Sequence, residues 1–590
     1  MKQYIIKKYN NNNNDKNNFN LLEFPYLNNV ADTFSYLPRN STGRINLFDN
    51  IQETLNYIPL PQSNNKKSLL MIGKVQSGKT THFSCFSAIL IDIGYDFVFI
   101  LGGTNTALLS QNINRVKESF KDEKLLVYTT ENIKNINPVV IDKYLKLGYK
   151  FVFCIMKETT HLSNLIKVFE GSNLYNKSIA IIDDEGDLAS LSNKETNKVI
   201  NKYLDKLYNN IFNTAIYVSY TATPHGNFFI PKNNWQYPDF INLIHANDNL
   251  YCGLEVFHKP NSTKIKKADE EFKTLKNAIL EAVMKYLCVI SKNTISNDLE
   301  MIVHSARINE DQDAIFDLVK NIVDEIIKTP YLELIENNYY LVKEYCERDI
   351  LIDNYKKNIK CLLSCIKVFK LYGESNKKND SKYLDFPRLN IYVGGDMLGR
   401  GVSFFPIVSY VTRTSKIFFM DTLLQRARWF GYRKNSLIFN KYSIFDMMSV
   451  YLEDRIKTAF ETIRKSENSI WKTVDYIVNN GIDPKKINLI IVSNDQDLLP
   501  TNKDKLGKNT TFTTLKDKVE FIFSSINNNY YDKIVGVEEL TYSLDLEKEQ
   551  LNNIIEFIAI TSYLEIDNVS INNSGIINIK LSEDLYLYGK

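Results

Sequence analysis

The chain has 590 residues, 44% of them apolar and 24% charged, which at roughly 150 residues per domain allows about four domains or large lobes. Lys and Arg number 72 against 69 Asp and Glu, a net charge of +3, and Gly and Pro number only 22 and 14. That balance excludes a histone-like polycation and a collagen-like or Pro/Gly linker protein, but leaves room for a basic groove on a balanced surface.

The seven cysteines make no disulfide framework. Cys361 and Cys365 lie four apart with no second pair nearby, so the thiols read as buried and structural, not as a zinc site. No apolar run approaches the roughly 18 to 20 residues that span a bilayer. The opening MKQYIIKKYNNNNND lacks the apolar core of a signal peptide. The expectation is a soluble, cytoplasmic protein with no membrane partner.

Residues 1–50 read as an N-terminal extension with an Asn-rich segment at 10–18, too poor in apolar area to offset ordering. Residues 51–250 read as a first lobe. Its apolar runs are SLLMI (68–72), DFVFILGG (96–103), YKFVFCIM (149–156), SIAIIDD (178–184) and TAIYVSY (214–220). Runs of this kind are strands buried on both faces of a parallel sheet, and the stretches 104–120 and 159–170 between them read as helices. A helical connector is expected over 251–298. A second lobe follows over 299–450, with strands in LEMIVHSA (299–306), LNIYVGG (389–395) and IVSYVTR (407–413). A helical insertion of about 309–385 separates the first two. Residues 451–590 open on a long helix, YLEDRIKTAFETIRKSE, and continue as a mixed region. The fold class is therefore α/β, with two doubly wound parallel-sheet lobes of RecA-like type.

The chemistry begins at Gly73-Lys74-Val75-Gln76-Ser77-Gly78-Lys79-Thr80, which fits G-x-x-x-x-G-K-[ST]. Glycines let backbone N–H groups turn inward around phosphate oxygens, Lys79 reaches the β/γ-phosphates and Thr80 binds Mg²⁺. Gly73, Gln76, Ser77, Gly78, Lys79 and Thr80 are the nucleotide-binding candidates. ATP and Mg²⁺ are the expected ligands.

A strand ending in acids downstream of such a loop supplies a metal ligand and a base for water. In Asp183-Asp184-Glu185-Gly186-Asp187, Asp184 is the metal-facing acid, Glu185 the base and Asp187 a coupling residue. Asp183 is the competing metal ligand. Tyr220-Thr221-Ala222-Thr223-Pro224 stands where superfamily 2 helicases carry a Ser-Ala-Thr-like motif linking nucleotide site and second lobe, so Thr221 and Thr223 are coupling candidates. GGDMLGRGVS (394–403) adds Arg400 to them, and DTLLQRARWFGYR (421–433) places Gln425, Arg428 and Arg433 on or just after a helix. An arginine there can stabilise transition-state charge on the γ-phosphate. Both arginines also have a plainer reading, as ion pairs with carboxylates such as Asp421 or Asp396.

Taken in order, GKVQSGKT, LGGTNTALLSQ (101–111), IIDDEGDLASL (181–191), YVSYTATPHGNFF (217–229), MIVHSAR (301–307), GGDMLGRGVSF and DTLLQRARWFGYR resemble the Z-one domain family. That family is described as endonucleases with a superfamily 2 helicase-like ATPase core. The sequence departs from its pattern where Gly186 replaces Ala, Gly399 replaces Ser and Arg426-Ala427 replace Met-Gly. The arginine spacing differs from ordinary superfamily 2 proteins, so Arg428 and Arg433 are carried over jointly. The resemblance implies a nucleic-acid-stimulated ATPase, a DNA translocase in a restriction or anti-phage setting. A nuclease or methyltransferase subunit is an implied partner. Backbone-gripping candidates are Thr104, His304, Gly394 and Gly395.

A metal nuclease needs clustered carboxylates and a Lys around one or two Mg²⁺. The sequence offers no such Asp…Glu-x-Lys set outside the ATPase motifs. An endonuclease with its own active site, and an ATP-driven switch that remodels protein partners, remain the alternative readings.

Overall fold

A computed structural model describes residues 24–486 apart from 103–123, 134–135, 188–194, 229, 247–248, 260, 270–271, 292–297, 305–308, 354–362, 372–386, 396–403, 413–417, 435–436 and 440–441. Beyond 486 it describes short strands only.

Each apolar run of the first lobe becomes a strand. With two strands that the sequence reading did not name, β3 and β7, they are in chain order β1 (Lys66–Gly73), β2 (Phe97–Gly102), β3 (Leu125–Thr129), β4 (Lys150–Met156), β5 (Ser178–Asp184), β6 (Thr214–Thr221) and β7 (Phe240–Ile244). They form one sheet in the order β3-β4-β2-β5-β6-β1-β7, every neighbouring pair parallel. Parallel neighbours need crossovers, and helices supply them. They include α3 (Lys79–Ile93), α4 (Pro138–Lys146), α5 (Thr159–Glu170) and α6 (Glu195–Asp205).

Burial on both faces explains why the runs lack alternation. Val98 and Ile100 of β2 enter the core beneath α3, whereas Phe97, Phe99 and Leu101 enter the core on the opposite face. There Phe99 stacks on Phe153 at 4.6 Å. Two earlier helices, α1 (Pro25–Asp32) and α2 (Thr42–Leu55), also belong to this lobe. Leu27, Val30, Phe48, Ile51 and Leu55 share a core with Phe83, Phe86 and Leu90 of α3. The Asp92 carboxylate accepts from the N–H of Leu27 at 2.9 Å, satisfying a donor that the first turn of α1 leaves free. Helix α2 therefore crosses position 50, where the sequence suggested that the extension ends.

After a two-residue strand β8 (Tyr251–Cys252), the second lobe is assembled from β9 (Ile265–Lys267), β10 (Leu299–His304), β11 (Ile366–Lys370), β12 (Leu389–Gly394), β13 (Pro406–Val411) and a strand at Ser449–Leu452. The order is β11-β12-β10-β13-(Ser449–Leu452)-β9, again wholly parallel. Helix α8 (Leu275–Ser291) lies on it within the expected connector, after a short helix α7 (Leu254–Phe257). The helical insertion contains α9 (Asn309–Lys328) and α10 (Tyr331–Asn338). It also yields the edge strand β11, which the sequence reading had placed among helices. The segment IKVFK is exposed or half-exposed over four of its five residues, and so lacks an apolar run.

Helix α11 (Met420–Arg426) and the long helix α12 (Asp454–Asn479) complete the described core. Leu69 and Met71 of β1 face α3, while Leu70 and Ile72 face a second core. That core contains Leu424, Trp429, Phe430, Ile456 and Phe460. The two lobes are thus joined by a shared apolar cluster, and α12 seals it. Past 486, strands Ile534–Glu538, Thr541–Leu544, Ile566–Ile571 and Ile577–Leu581 make an antiparallel sheet. No described helix is long and apolar enough to cross a membrane. The described cysteines are buried and outside any disulfide, and Cys361 lies outside the described residues.

Candidate active site

The candidate residues gather at the carboxyl ends of β1, β5 and β6, where ligands of open α/β sheets sit. β6 lies between β1 and β5. It therefore separates the glycine-rich loop from the acids by one strand width, about 5 Å on either side.

The loop runs from Gly73 into α3 at Lys79. A Cβ on Gly73 would stand 2.8 Å from Lys79 Cγ and 2.9 Å from Ser77 Oγ, so the close turn requires glycine there. Lys79 Nζ donates to the carbonyls of Gly73 (3.2 Å) and Lys74 (2.9 Å). Removal from water brings its ammonium down to about 8, against the pull of Asp184, Glu185, Asp187 and Glu467. Ser77 Oγ and Gln76 Nε2 are buried without a hydrogen-bond partner. A close-turning loop on a helix N-terminus, with a lysine and unpaired donors, suits a phosphate group. The residues present fit a nucleotide.

Across β6, the acids divide their labour. Asp183 is fully buried, accepting from Lys157 Nζ at 2.7 Å and from Tyr217 Oη at 2.6 Å. Its carboxylate is thus spent on an ion pair. Asp184 is 7% exposed, and burial, aided by the charge of Glu185, pushes its carboxyl up to about 7. A nearby cation would restore the ionised form, so Asp184 fits a metal ligand better than Asp183 does. Glu185 has φ +53°, a left-handed backbone that costs about 1 kcal/mol or more outside glycine. Lys157 Nζ holds that turn by donating to the carbonyls of Asp184 (2.7 Å) and Glu185 (3.0 Å). Sequence reasoning missed Lys157. Its only signal was a lysine closing the apolar run of β4.

Asp187 ties the acidic turn to the end of β6. Its two oxygens accept from Thr221 Oγ1 and Thr223 Oγ1, both at 2.9 Å. Gln425 Nε2 of α11 reaches Thr223 Oγ1 at 3.4 Å, so the chain of polar contacts continues into the second lobe. Beneath, His82 of α3 bridges Tyr220 Oη (2.9 Å) and Asn50 Oδ1 (2.8 Å). Because Asn50 Nδ2 already donates to Leu243, the ring must carry its proton on Nε2. Burial keeps that imidazole neutral, down to about 3.

The second lobe touches the loop directly. Arg433 is 1% exposed, and its Nη2 donates to Gln76 Oε1 at 3.0 Å. Its other acceptors among the described residues are backbone carbonyls. Arg428 is half-buried beside it, and its N–H closes a turn onto the Arg426 carbonyl at 2.7 Å. Helix α12 contributes a further face that sequence reasoning left unassigned. Lys74 Nζ lies 5.1 Å over the Trp471 ring, and burial pushes the Glu467 carboxyl up to about 7 while Lys74 and Lys79 oppose the shift.

Of the backbone-gripping candidates, His304 and Gly394 are direct register partners at the ends of β10 and β12, with Gly395 following. The His304 side chain is buried, so only backbone is offered there. Thr104 and Arg400 lie outside the described residues.

Fold and site together define a two-lobed α/β protein, each lobe built on a parallel sheet, with a glycine-rich loop between β1 and α3. Residues 274–499 match the family model of the Z1 domain. Comparison with curated proteins finds no match. Among solved structures, the chain is similar to the ATP-dependent Type ISP restriction-modification enzyme LlaBIII bound to DNA. The TM-score is 0.42 at 11% identity over 74% of this chain, which spans 30% of that one. It is similar to S. cerevisiae Dbp5 bound to RNA and ADP BeF3, at TM-score 0.40 and 11% identity over 77% of this chain and 97% of that one. A third likeness is to the DUF1998 helicase MrfA bound to DNA, at TM-score 0.32 and 12% identity over 91% of this chain and 61% of that one.

Proposed function

We propose that this protein is an ATP-hydrolysing motor that moves on nucleic acid, a DNA translocase in a restriction or anti-phage system. One observation carries the reading. Asp187, beside the acids, is bonded through Thr223 to Gln425 of the second lobe, a polar path from phosphate site to moving lobe. A nucleotide-binding protein without a mechanical output has no need of that path.

In this reading Gly73, Ser77, Gly78 and Lys79 hold the phosphates, and Thr80 and Asp184 hold Mg²⁺. The metal, when bound, neutralises charge developing on the phosphate oxygens. Glu185 takes the proton of the attacking water, and its left-handed turn, fixed by Lys157, aims it away from the strand. Arg428 is the arginine assigned to the γ-phosphate. Gly394, Gly395 and the backbone at His304, with Thr104, meet the sugar–phosphate chain, which suits sequence-tolerant binding. Arg400 couples that contact back to the cleft. A partner subunit supplies any cutting or methylation.

The test is ATP hydrolysis with and without DNA or RNA, with cleavage scored in the same tubes. Hydrolysis that rises with nucleic acid, binding that weakens steeply with salt, and intact substrate are expected. Hydrolysis indifferent to nucleic acid favours a protein-remodelling switch. Cleavage by the purified chain favours the endonuclease.

A further inference from the structure

Three consecutive residues of the phosphate loop are each held by a side chain from outside it. Tyr251 Oη donates to the Val75 carbonyl at 2.6 Å. Arg433 Nη2 donates to Gln76 Oε1 at 3.0 Å. Tyr432 Oη donates to the Ser77 carbonyl at 3.1 Å.

The three holders form one unit. Gly431 and Tyr432 pair antiparallel with Cys252 and Tyr251, so the two tyrosines are cross-strand neighbours, their rings 5.7 Å apart and edge-on. Gly431 has φ +119°, and a Cβ there would meet Gln76 Oε1 at 3.0 Å and Gln76 Cβ at 3.3 Å. Only glycine combines that backbone with that approach. The unusual spellings V-Q-S in the loop and F-G-Y-R in the second lobe are therefore two halves of one contact.

Arg433 is poorly placed to leave it. Nη2 also donates to the carbonyls of Phe404 (2.9 Å) and Arg428 (2.7 Å), and the guanidinium lies 4.5 Å over the Phe405 ring. Swinging to a phosphate would break all of these at once. The junction persists although it leaves Arg433 Nη1 and Gln76 Nε2 buried without partners. Unpaired buried donors are costly, and native structures tolerate them chiefly where function requires it.

We infer that Arg433, with Tyr432 and Tyr251, is a positioning residue that sets the shape of the phosphate loop, rather than an arginine that reads the γ-phosphate. The second lobe thereby controls whether the loop can accept any nucleotide. The inference rests on the nucleotide reading above.

A γ-phosphate contact is absent with ADP, whereas loop shape matters to both nucleotides. The test measures Kd for ADP and for a non-hydrolysable ATP analogue, with melting temperature, in wild type, Arg433→Ala, Gln76→Ala, the double variant and Tyr432→Phe. Arg433→Ala and Gln76→Ala should each weaken both ligands by the same factor, ten-fold or more. The double variant should be no worse than the weaker single one, because both remove one contact. Tyr432→Phe, which loses a single hydroxyl, should weaken both ligands equally and to a smaller extent. A merely unstable fold lowers the active fraction without moving Kd. Wild-type ADP affinity in folded Arg433→Ala, with loss confined to the ATP analogue or to turnover, overturns the inference and makes Arg433 a phosphate-reading group. If folded Arg433→Ala cannot be obtained, unchanged ADP affinity in both Gln76→Ala and Tyr432→Phe overturns it equally. A wild-type chain that binds neither ligand overturns the nucleotide reading, and this inference with it.

Discussion

Lys157 and Asp183 form an ion pair at 2.7 Å in which neither side chain keeps more than 1% of its surface in solvent. The same ammonium caps the carbonyls of Asp184 and Glu185, so one buried cation shapes the whole acidic turn. Lys157→Met strands a buried carboxylate and should cost about 3–5 kcal/mol of stability, with loss of hydrolysis. Adding Asp183→Asn should restore much of the melting temperature but not the activity, since the turn still lacks its cap. Denaturant unfolding and ATP turnover on the two variants check this.

Binding and chemistry should separate at the neighbouring residues. Lys79→Ala should abolish hydrolysis and weaken nucleotide binding while the fold persists, because Lys79 Nζ bonds only loop carbonyls. Glu185→Gln should still bind ATP·Mg²⁺ and lose roughly 10²–10⁴ in turnover. Loss of ATP binding in Glu185→Gln would instead make Glu185 a ligand or structural residue.

Gly186 offers a steric test. A Cβ there would lie 2.3 Å from Ser219 Oγ and 3.1 Å from Ser219 Cβ. Gly186→Ala should cost about 1–3 kcal/mol as an overpacked site. Ser219→Ala in the same chain should recover most of it, because the remaining contacts, 3.1 Å to Ser219 Cβ and 3.3 Å to Asp183 Cγ, need only small shifts. Melting curves of the single and double variants decide this.

His258 makes stability depend on acid. It is 3% exposed, stacked on Phe460 at 4.4 Å, and burial holds it down to about 3, with Arg464 and Lys457 adding to the effect. A folded value below the unfolded 6.5 gives stability that is present above pH 6.5 and is lost as pH falls toward 3. Between pH 8 and pH 5 this residue should remove about 2 kcal/mol. His258→Phe should flatten that part of the profile. An unchanged slope between pH 8 and 5 in the variant would show that His258 is not its source.

The sequence alone determined the parts whose chemistry is local. The Gly73–Thr80 loop, the Asp184-Glu185 pair and the Thr221-Ala222-Thr223 turn follow from strand ends and turns written in consecutive residues. The central strands were legible because burial on both faces leaves an unbroken apolar run, as in β2 and β5. Tertiary structure alone decided what depends on distant neighbours. The edge strand β11, with mostly exposed or half-exposed residues and lysines interrupting its apolar positions, carries no such run. Ser449–Leu452 was hidden because it leads directly into α12. Lys157 became the cap of the acidic turn only once β4 and β5 were brought into one sheet. Arg433 lies 357 residues from Gln76, and no local pattern tells whether a guanidinium will meet a carboxylate, a phosphate or a loop amide. That choice belongs to the packing of the lobes, where desolvation and the acceptors within reach select the partner.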